Sequence, residues 1–126
     1  MKRLLILGSA LLLLNTAMAQ DDAAELEVVL PRDAQKCVLP ASPNAIPEDA
    51  DYDQLVEAKK QVDAFQGKLM EFRDCLSAAE EDEDNTVGNK QAIVASYNYS
   101  VEMEERVAER FNEAVRGYKE RQAAEG

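Results

Sequence analysis

Between Tyr52 and Ala79 the apolar residues return every seven positions. Leu55, Val62, Leu69 and Leu76 form one line, and Ala58, Phe65, Phe72 and Ala79 form a second, three residues further on. On a helix the two lines merge into one stripe along a single side, sustained over four heptads. A stripe of that length has to be covered. The pattern predicts a helix over residues 51–79 of about 40 Å, at 1.5 Å per residue, and makes it the scaffold of the chain. Gly67 sits inside it at a nominal cost of about 1 kcal/mol relative to Ala. Val56 and Met70 lie outside the stripe, so contact with more than one neighbour is expected.

The C-terminal third of the chain supplies the cover. Glu80 to Asp84 are five consecutive acids; they repel one another and oppose the helix dipole, so the helix should end there. Asn85, Gly88 and Asn89 form turns readily, which places an exposed acidic loop at 80–89. A second helix is expected over 90–123. Its apolar stripe reads Val94, Tyr97, Val101, Ala108, Phe111, Val115 and Tyr118, with Ile93, Val107 and Ala114 beside it and Glu104 interrupting it. Glu102 and Arg106 form a favourable i, i+4 pair. The fold class is therefore all-α, an antiparallel two-helix hairpin over 51–126 with the acidic loop at its tip.

The N-terminal part is organised differently. Lys2 and Arg3 precede a leucine-rich run from Leu4 to Leu14, and Ala17-Met18-Ala19 is a small-x-small cleavage site. Residues 1–19 thus read as a cleaved signal peptide. The apolar run is shorter than the roughly 20 residues a bilayer span needs, and no cysteine stands at the cleavage site for lipid attachment. A periplasmic or secreted protein without a stable membrane anchor is expected. Residues 20–50 then form an acidic, proline-rich arm. Gln20 to Ala24 are expected to lack structure, and the patch from Leu26 to Leu30 fits a short strand, one helical turn or an extended path. Pro40, Pro43 and Pro47 exclude helix and favour an extended backbone. Such a segment serves either as a ligand for an aromatic groove or as a structural strap, of which the strap is the commoner use. Glu48, Asp49 and Asp51 suit the start of a helix.

Cys37 and Cys75 are the only cysteines. In an exported chain they are expected to form one disulfide, with intermolecular pairing or free thiols as the alternatives. Lengths agree with the disulfide. From Asp51 to Cys75 a helix rises about 36 Å, and the extended path from Cys37 to Asp51 spans about 43 Å. The arm can thus run antiparallel along the helix, with Ala64 and Gly67 leaving room for it on the side of Cys75.

Charge and composition exclude several activities. The net charge is −11, becoming about −13 once Lys2 and Arg3 leave with the signal, which argues against nucleic acid and favours solubility through self-repulsion. The absence of histidine removes the commonest general base and nitrogen metal ligand. Ser77, Ser96 and Ser100 therefore lack a histidine partner, and neither a CxxC pair nor a glycine-rich phosphate loop occurs. No catalytic, cofactor-binding or metal residue is assigned, and no enzyme is expected. Asp82, Asp84 and Thr86 alternate as in a calcium loop. Counted from Asp82, however, Val87 stands where the EF-hand places glycine, and no Glu stands at the twelfth position. A solvated loop is expected there, with weak divalent-cation binding through residues 80–86 as the alternative. Asn98-Tyr99-Ser100 matches a glycosylation sequon, but the leader is of bacterial type. Arg110, Arg116, Lys119 and Arg121 make the end of the second helix locally basic, which complements its dipole and can also meet an acidic partner.

The signal sequence, Cys37-x-x-Pro40-x-x-Pro43, Phe72-x-x-Cys75-Leu76 and Arg110-Phe111-Asn112-x-x-Val115-x-x-Tyr118 occur in that order. Together they resemble a set of small exported helical-hairpin proteins of Gram-negative bacteria with one disulfide. The resemblance covers most of the chain after the signal and implies a structural framework, not an activity. The stretch Phe111 to Tyr118 alone is also similar to one helix of LemA-family proteins, whose N-terminal anchor and further helices have no counterpart here. The expected role is a non-catalytic envelope protein that binds a protein partner or self-associates. If the cysteines are paired, the denatured and unreduced chain takes up no thiol reagent; two equivalents taken up would remove both disulfide and strap.

Overall fold

The computed structural model describes residues 28–126; the expected signal peptide and the arm up to residue 27 lie outside the described residues. Three helices follow in order: α1 (Arg32–Gln35), α2 (Tyr52–Glu80) and α3 (Val87–Glu125). None is long and apolar enough to cross a membrane.

Asp51 sets the start of α2. Its carboxylate accepts from the Gln54 amide at 2.8 Å, and the Gln54 side chain accepts from the Asp51 amide at 2.9 Å. This capping box satisfies two of the donors that a helix start leaves without partners. Both lines of the sequence pattern point inward: Leu55, Val62, Leu69 and Leu76 are buried, as are Phe65, Phe72 and Ala79, while Ala58 is half-buried. Val56 and Met70 remain exposed, so the second neighbour of α2 does not sit on them.

At its other end α2 stops in the acid run. The Asn85 side-chain amide donates to the carbonyls of Ala79 at 2.8 Å and Glu80 at 3.3 Å, closing two of the acceptors left open there. α3 starts at Val87, earlier than the expected 90. Thr86 and Asn89 form a second capping box with both bonds at 3.0 Å. Asn89, which resembles a turn former, is the reciprocal partner three residues into the helix. The loop is consequently 81–86, shorter than the expected 80–89, and α3 continues to Glu125, two residues beyond the expected end.

α2 and α3 pack antiparallel. Near the tip Phe72, Leu76 and Ala79 meet Ile93, and lower down Val62, Phe65 and Leu69 meet Met103, Val107 and the half-buried Phe111. At the base the rings of Tyr52 and Tyr118 stand 6.4 Å apart. The face of α3 turned to α2 corrects the sequence reading. Ile93, Ser100 and Val107 are buried, spaced every seven residues, with Met103 beside them, whereas Val94 is 47% and Tyr97 40% exposed. Of the expected stripe, Phe111 and Tyr118 do face α2, but its line through Val94, Val101, Ala108 and Val115 lies one residue later than the buried line and is turned from it by about 100°. Both lines are apolar enough to be cores. Ser100 is what disguises the real one.

The second neighbour of α2 is the segment before it. α1, which the sequence does not announce, is one short turn that buries Ala34 against Phe72, Leu76, Ala79 and Ile93. Cys37 comes next and is bonded to Cys75, with Cα atoms 5.6 Å apart, inside the ordinary range for a disulfide. Residues 38–50 then carry no helix or strand and descend along α2 toward its start. Lys36 to Ala41 share a cleft with Lys68, Phe72 and Cys75, and Asn44 to Pro47 share one with Gln54, Ala58 and Gln61. Ala64 lines this side with Ala41 to Asn44. Gly67 does not: a side chain there would meet open space, so its expected role as a close-approach site is not realised.

The disulfide closes a separation of 38 residues, for which the loop-entropy relation assigns about 4 kcal/mol. Replacing Cys37 and Cys75 by Ser together is expected to lower the stability measured by urea denaturation by about 2–4 kcal/mol. Helical circular dichroism should be retained, because the buried faces of α2 and α3 do not depend on the bond.

Candidate functional site

The two apolar clusters are separated by a polar layer built from three residues. Arg73 follows Phe72 on α2 and reaches across to α3. Its Nε donates to Ser100 Oγ at 2.8 Å, and its Nη2 donates to the Ser100 carbonyl at 3.1 Å and to Glu104 Oε2 at 2.8 Å. Ser100 Oγ in turn donates to the Tyr97 carbonyl at 2.6 Å. The Tyr97 ring lies with its centroid 5.8 Å from the guanidinium carbon, within cation–π range. Ser100 is fully buried, and the Arg73 and Glu104 side chains keep 14% and 28% of their exposure. Each polar group has a partner, and among the described residues no buried side-chain polar atom lacks one.

This layer clamps α2 to α3. Arg73 offers donors only, and the Ser100 hydroxyl is already both acceptor from Arg73 and donor to the Tyr97 carbonyl. What the geometry does is fix register, since sliding α3 by one turn would separate a partly buried ion pair and leave the Ser100 hydroxyl without its donor. Glu104 is therefore not a break in the stripe. It is the ligand of Arg73, and its neighbour Ser100 occupies a core position. Residue types alone carry little of this signal; an Arg one position after a seam Phe, facing a Glu in the opposing seam, is the one trace of it in the sequence.

The flanks of the hairpin differ. On one side residues 43–48 lie against Ala58, Val62, Val107, Arg110, Ala114 and Gly117, and Arg121 donates to the carbonyls of Glu48 and Ala50, the latter at 2.8 Å. On the other side no segment of the described chain is seen to cover Val94 and Tyr97, and Met70 on α2 is 61% exposed. Val101, Ala108 and Val115, on the same line of α3, are half-buried.

The remaining sequence candidates fall outside both features. Cys37 and Cys75 are joined, and both are half-buried. At the tip Asp82 Oδ1 accepts from the Asp84 amide at 3.0 Å, and among the described residues no cluster of three or more acidic or thiol side chains gathers as a metal site. Glu80 to Asp84 take part in no ion pair among the described residues, nor do Arg110, Arg116 and Lys119. Glu102 and Arg106 pair as expected, at a loose 3.9 Å on the surface. Asp33 beside Lys36 is held below the usual carboxylate range, first by the hydrogen bond from Lys36 and then by its charge. That pair is fully solvated and carries no chemistry. A disulfide of this kind belongs to an oxidising compartment outside the cytoplasm.

No protein-family profile matches the chain, and comparisons with curated proteins and with solved structures return no significant similarity. Function has to be argued from the geometry. Arg73→Met should leave Ser100 and Glu104 partly unsatisfied and cost about 1–3 kcal/mol in urea denaturation. A double-mutant cycle with Glu104→Gln should give a coupling of about 1 kcal/mol. Additive effects would show that the layer does not act as a unit.

Proposed function

We propose that this protein is an exported, non-catalytic interaction component of the bacterial envelope. It uses a strapped helical hairpin to present one flank of α3 to a protein partner. The observation that supports this reading is the asymmetry of the flanks. The arm from Cys37 to Ala50 acts as a strap on one of them, tied by the disulfide at the tip end and by Arg121 at the base. The other keeps a line of apolar residues at helical spacing, with Tyr97 at 40% exposure. A helix surface of that type is recognised by another helix lying along it. Residues 1–19 serve as the signal that delivers the chain to the periplasm or the medium.

Catalysis finds no support, because among the described residues no nucleophile is paired with a base and the clefts along the arm are open surface grooves. Cation binding through residues 80–86 is not favoured by any observation, since Asp82 is turned to its own backbone. The experiment places p-benzoyl-phenylalanine at Tyr97, and separately at the exposed Lys60 on the outer side of α2, in the chain exported from a bacterial host. Irradiation should give a protein adduct at Tyr97 and none at Lys60. Absence of any adduct at Tyr97 would remove the interaction reading.

A further inference from the structure

We propose that the Cys37–Cys75 disulfide is a redox latch. Its reduction by a dithiol undocks the arm from the hairpin while α2 and α3 stay packed. The proposal is independent of the α3 flank and concerns the edge of α2 that the arm covers. The bond is open to attack. Both cysteines are half-buried, and both line a cleft of about 600 Å³ beside the exposed Val38 and Leu39. Lys36, Lys68 and Glu71 line the same cleft, and Lys36 is paired with Asp33 at 2.8 Å. These charges largely offset one another, so access rather than charge makes the bond reducible. Accessible disulfides are the ones that exchange readily.

Little else holds the arm. Among the described residues the backbone of 38–49 makes one backbone hydrogen bond, from the Ala50 amide to the Pro47 carbonyl. At the base Arg121 donates to the carbonyls of Glu48 and Ala50, and between the ends Ile46 is only half-buried. Toward the tip, α1 has four residues, too few to be helical alone. It is kept in place by Ala34 in the tip cluster and by Asn89, whose side-chain amide donates to the Val29 carbonyl at 2.6 Å. The disulfide, closing a separation of 38 residues, holds these weak contacts at a high effective concentration. The hairpin has its own basis. Val62, Phe65 and Leu69 meet Met103 and Val107 without a residue of the arm, and Arg73 bridges the helices to Ser100 and Glu104.

The step is a thiol–disulfide exchange. A thiolate of the dithiol attacks one sulfur of the pair, forming a mixed disulfide and expelling the other cysteine as a thiolate, which takes up a proton. The second thiol of the reagent then attacks its own sulfur in the mixed disulfide and releases the remaining cysteine. The protein gains two electrons and two protons, and the dithiol loses them to become a disulfide. Ala58 and Val62 of α2, with Val107 and Ala114 of α3, lie along the edge that the arm covers. The redox state of one bond therefore sets whether that edge is covered.

The test uses the exported chain with its disulfide intact, and dithiothreitol as the dithiol. Reduction in native buffer should proceed at a rate proportional to dithiothreitol concentration. In carbon-13 methyl spectra, Overhauser contacts between Ala34 and the Phe72 ring should vanish on reduction, and the Ile46 methyls should move to unstructured shifts. Contacts within the cluster of Phe65, Met103 and Val107 should persist in both states. Cys37→Ser combined with Cys75→Ser should reproduce the reduced spectrum without reagent. A rate that does not depend on the reagent overturns the proposal, because the bond is then reached only through unfolding. A reduced protein that keeps the Ala34 and Ile46 signals in place overturns it as well, since the bond is then a brace and not a latch. Loss of the Phe65 cluster together with the arm also overturns it, since the bond then supports the whole fold.

Discussion

Everything in this fold depends on the need to bury one side of α2. Seven of its residues lose nearly all contact with water, from Leu55 to Ala79, and each large side chain so buried contributes on the order of 2 kcal/mol. A single helix cannot cover itself. One neighbour covers the stripe only in part, because a stripe of two heptad lines is wider than the ridge another helix presents. α3 takes the centre, and the segment before α2 takes one edge. The order of the chain along the molecule results from this: tip at α1, down the arm to Asp51, up α2, and down α3.

The arm is held in an unusual way. Among the described residues the backbone of 38–49 makes one backbone hydrogen bond, in which the Pro47 carbonyl accepts from Ala50 at 3.1 Å. Prolines cannot donate, and no strand lies alongside to pair with. Its position depends on the disulfide at one end, the two carbonyls taken by Arg121 at the other, and side chains such as Ile46 lying between α2 and α3. A small core gains proportionally more from such cross-linking than a large one does. Among the described residues the opposite flank stays open, so the strap creates an asymmetry that a bare hairpin would not have.

Much of this is legible in the residues. Four heptads identify α2 and its buried face, the acid run ends it, and the two cysteines find each other. The face of α3 is not legible. Two adjacent lines, one through Ile93, Ser100 and Val107 and one through Val94, Val101 and Ala108, compete for α2, and counting apolar residues prefers the second. Burial of Ser100 becomes favourable only when Arg73 and the Tyr97 carbonyl satisfy its hydroxyl, and that pairing exists only once the helices have met. The turn at α1 escapes for a similar reason. Four residues have no stable helical preference of their own, and Ala34 is helical because it packs on Phe72 and Leu76.

Local rules therefore determine where helices begin and end and which side of α2 is apolar, because caps, charge runs and periodicity act within a few residues of one another. Asp51 with Gln54, and Thr86 with Asn89, are such local devices. The register of α3, the burial of Ser100 and the choice of the flank that receives the arm are decided by tertiary structure alone. They depend on partners 27 or more residues apart, as for Arg73 with Ser100, whose desolvation is unfavourable until every hydrogen bond in the layer forms together.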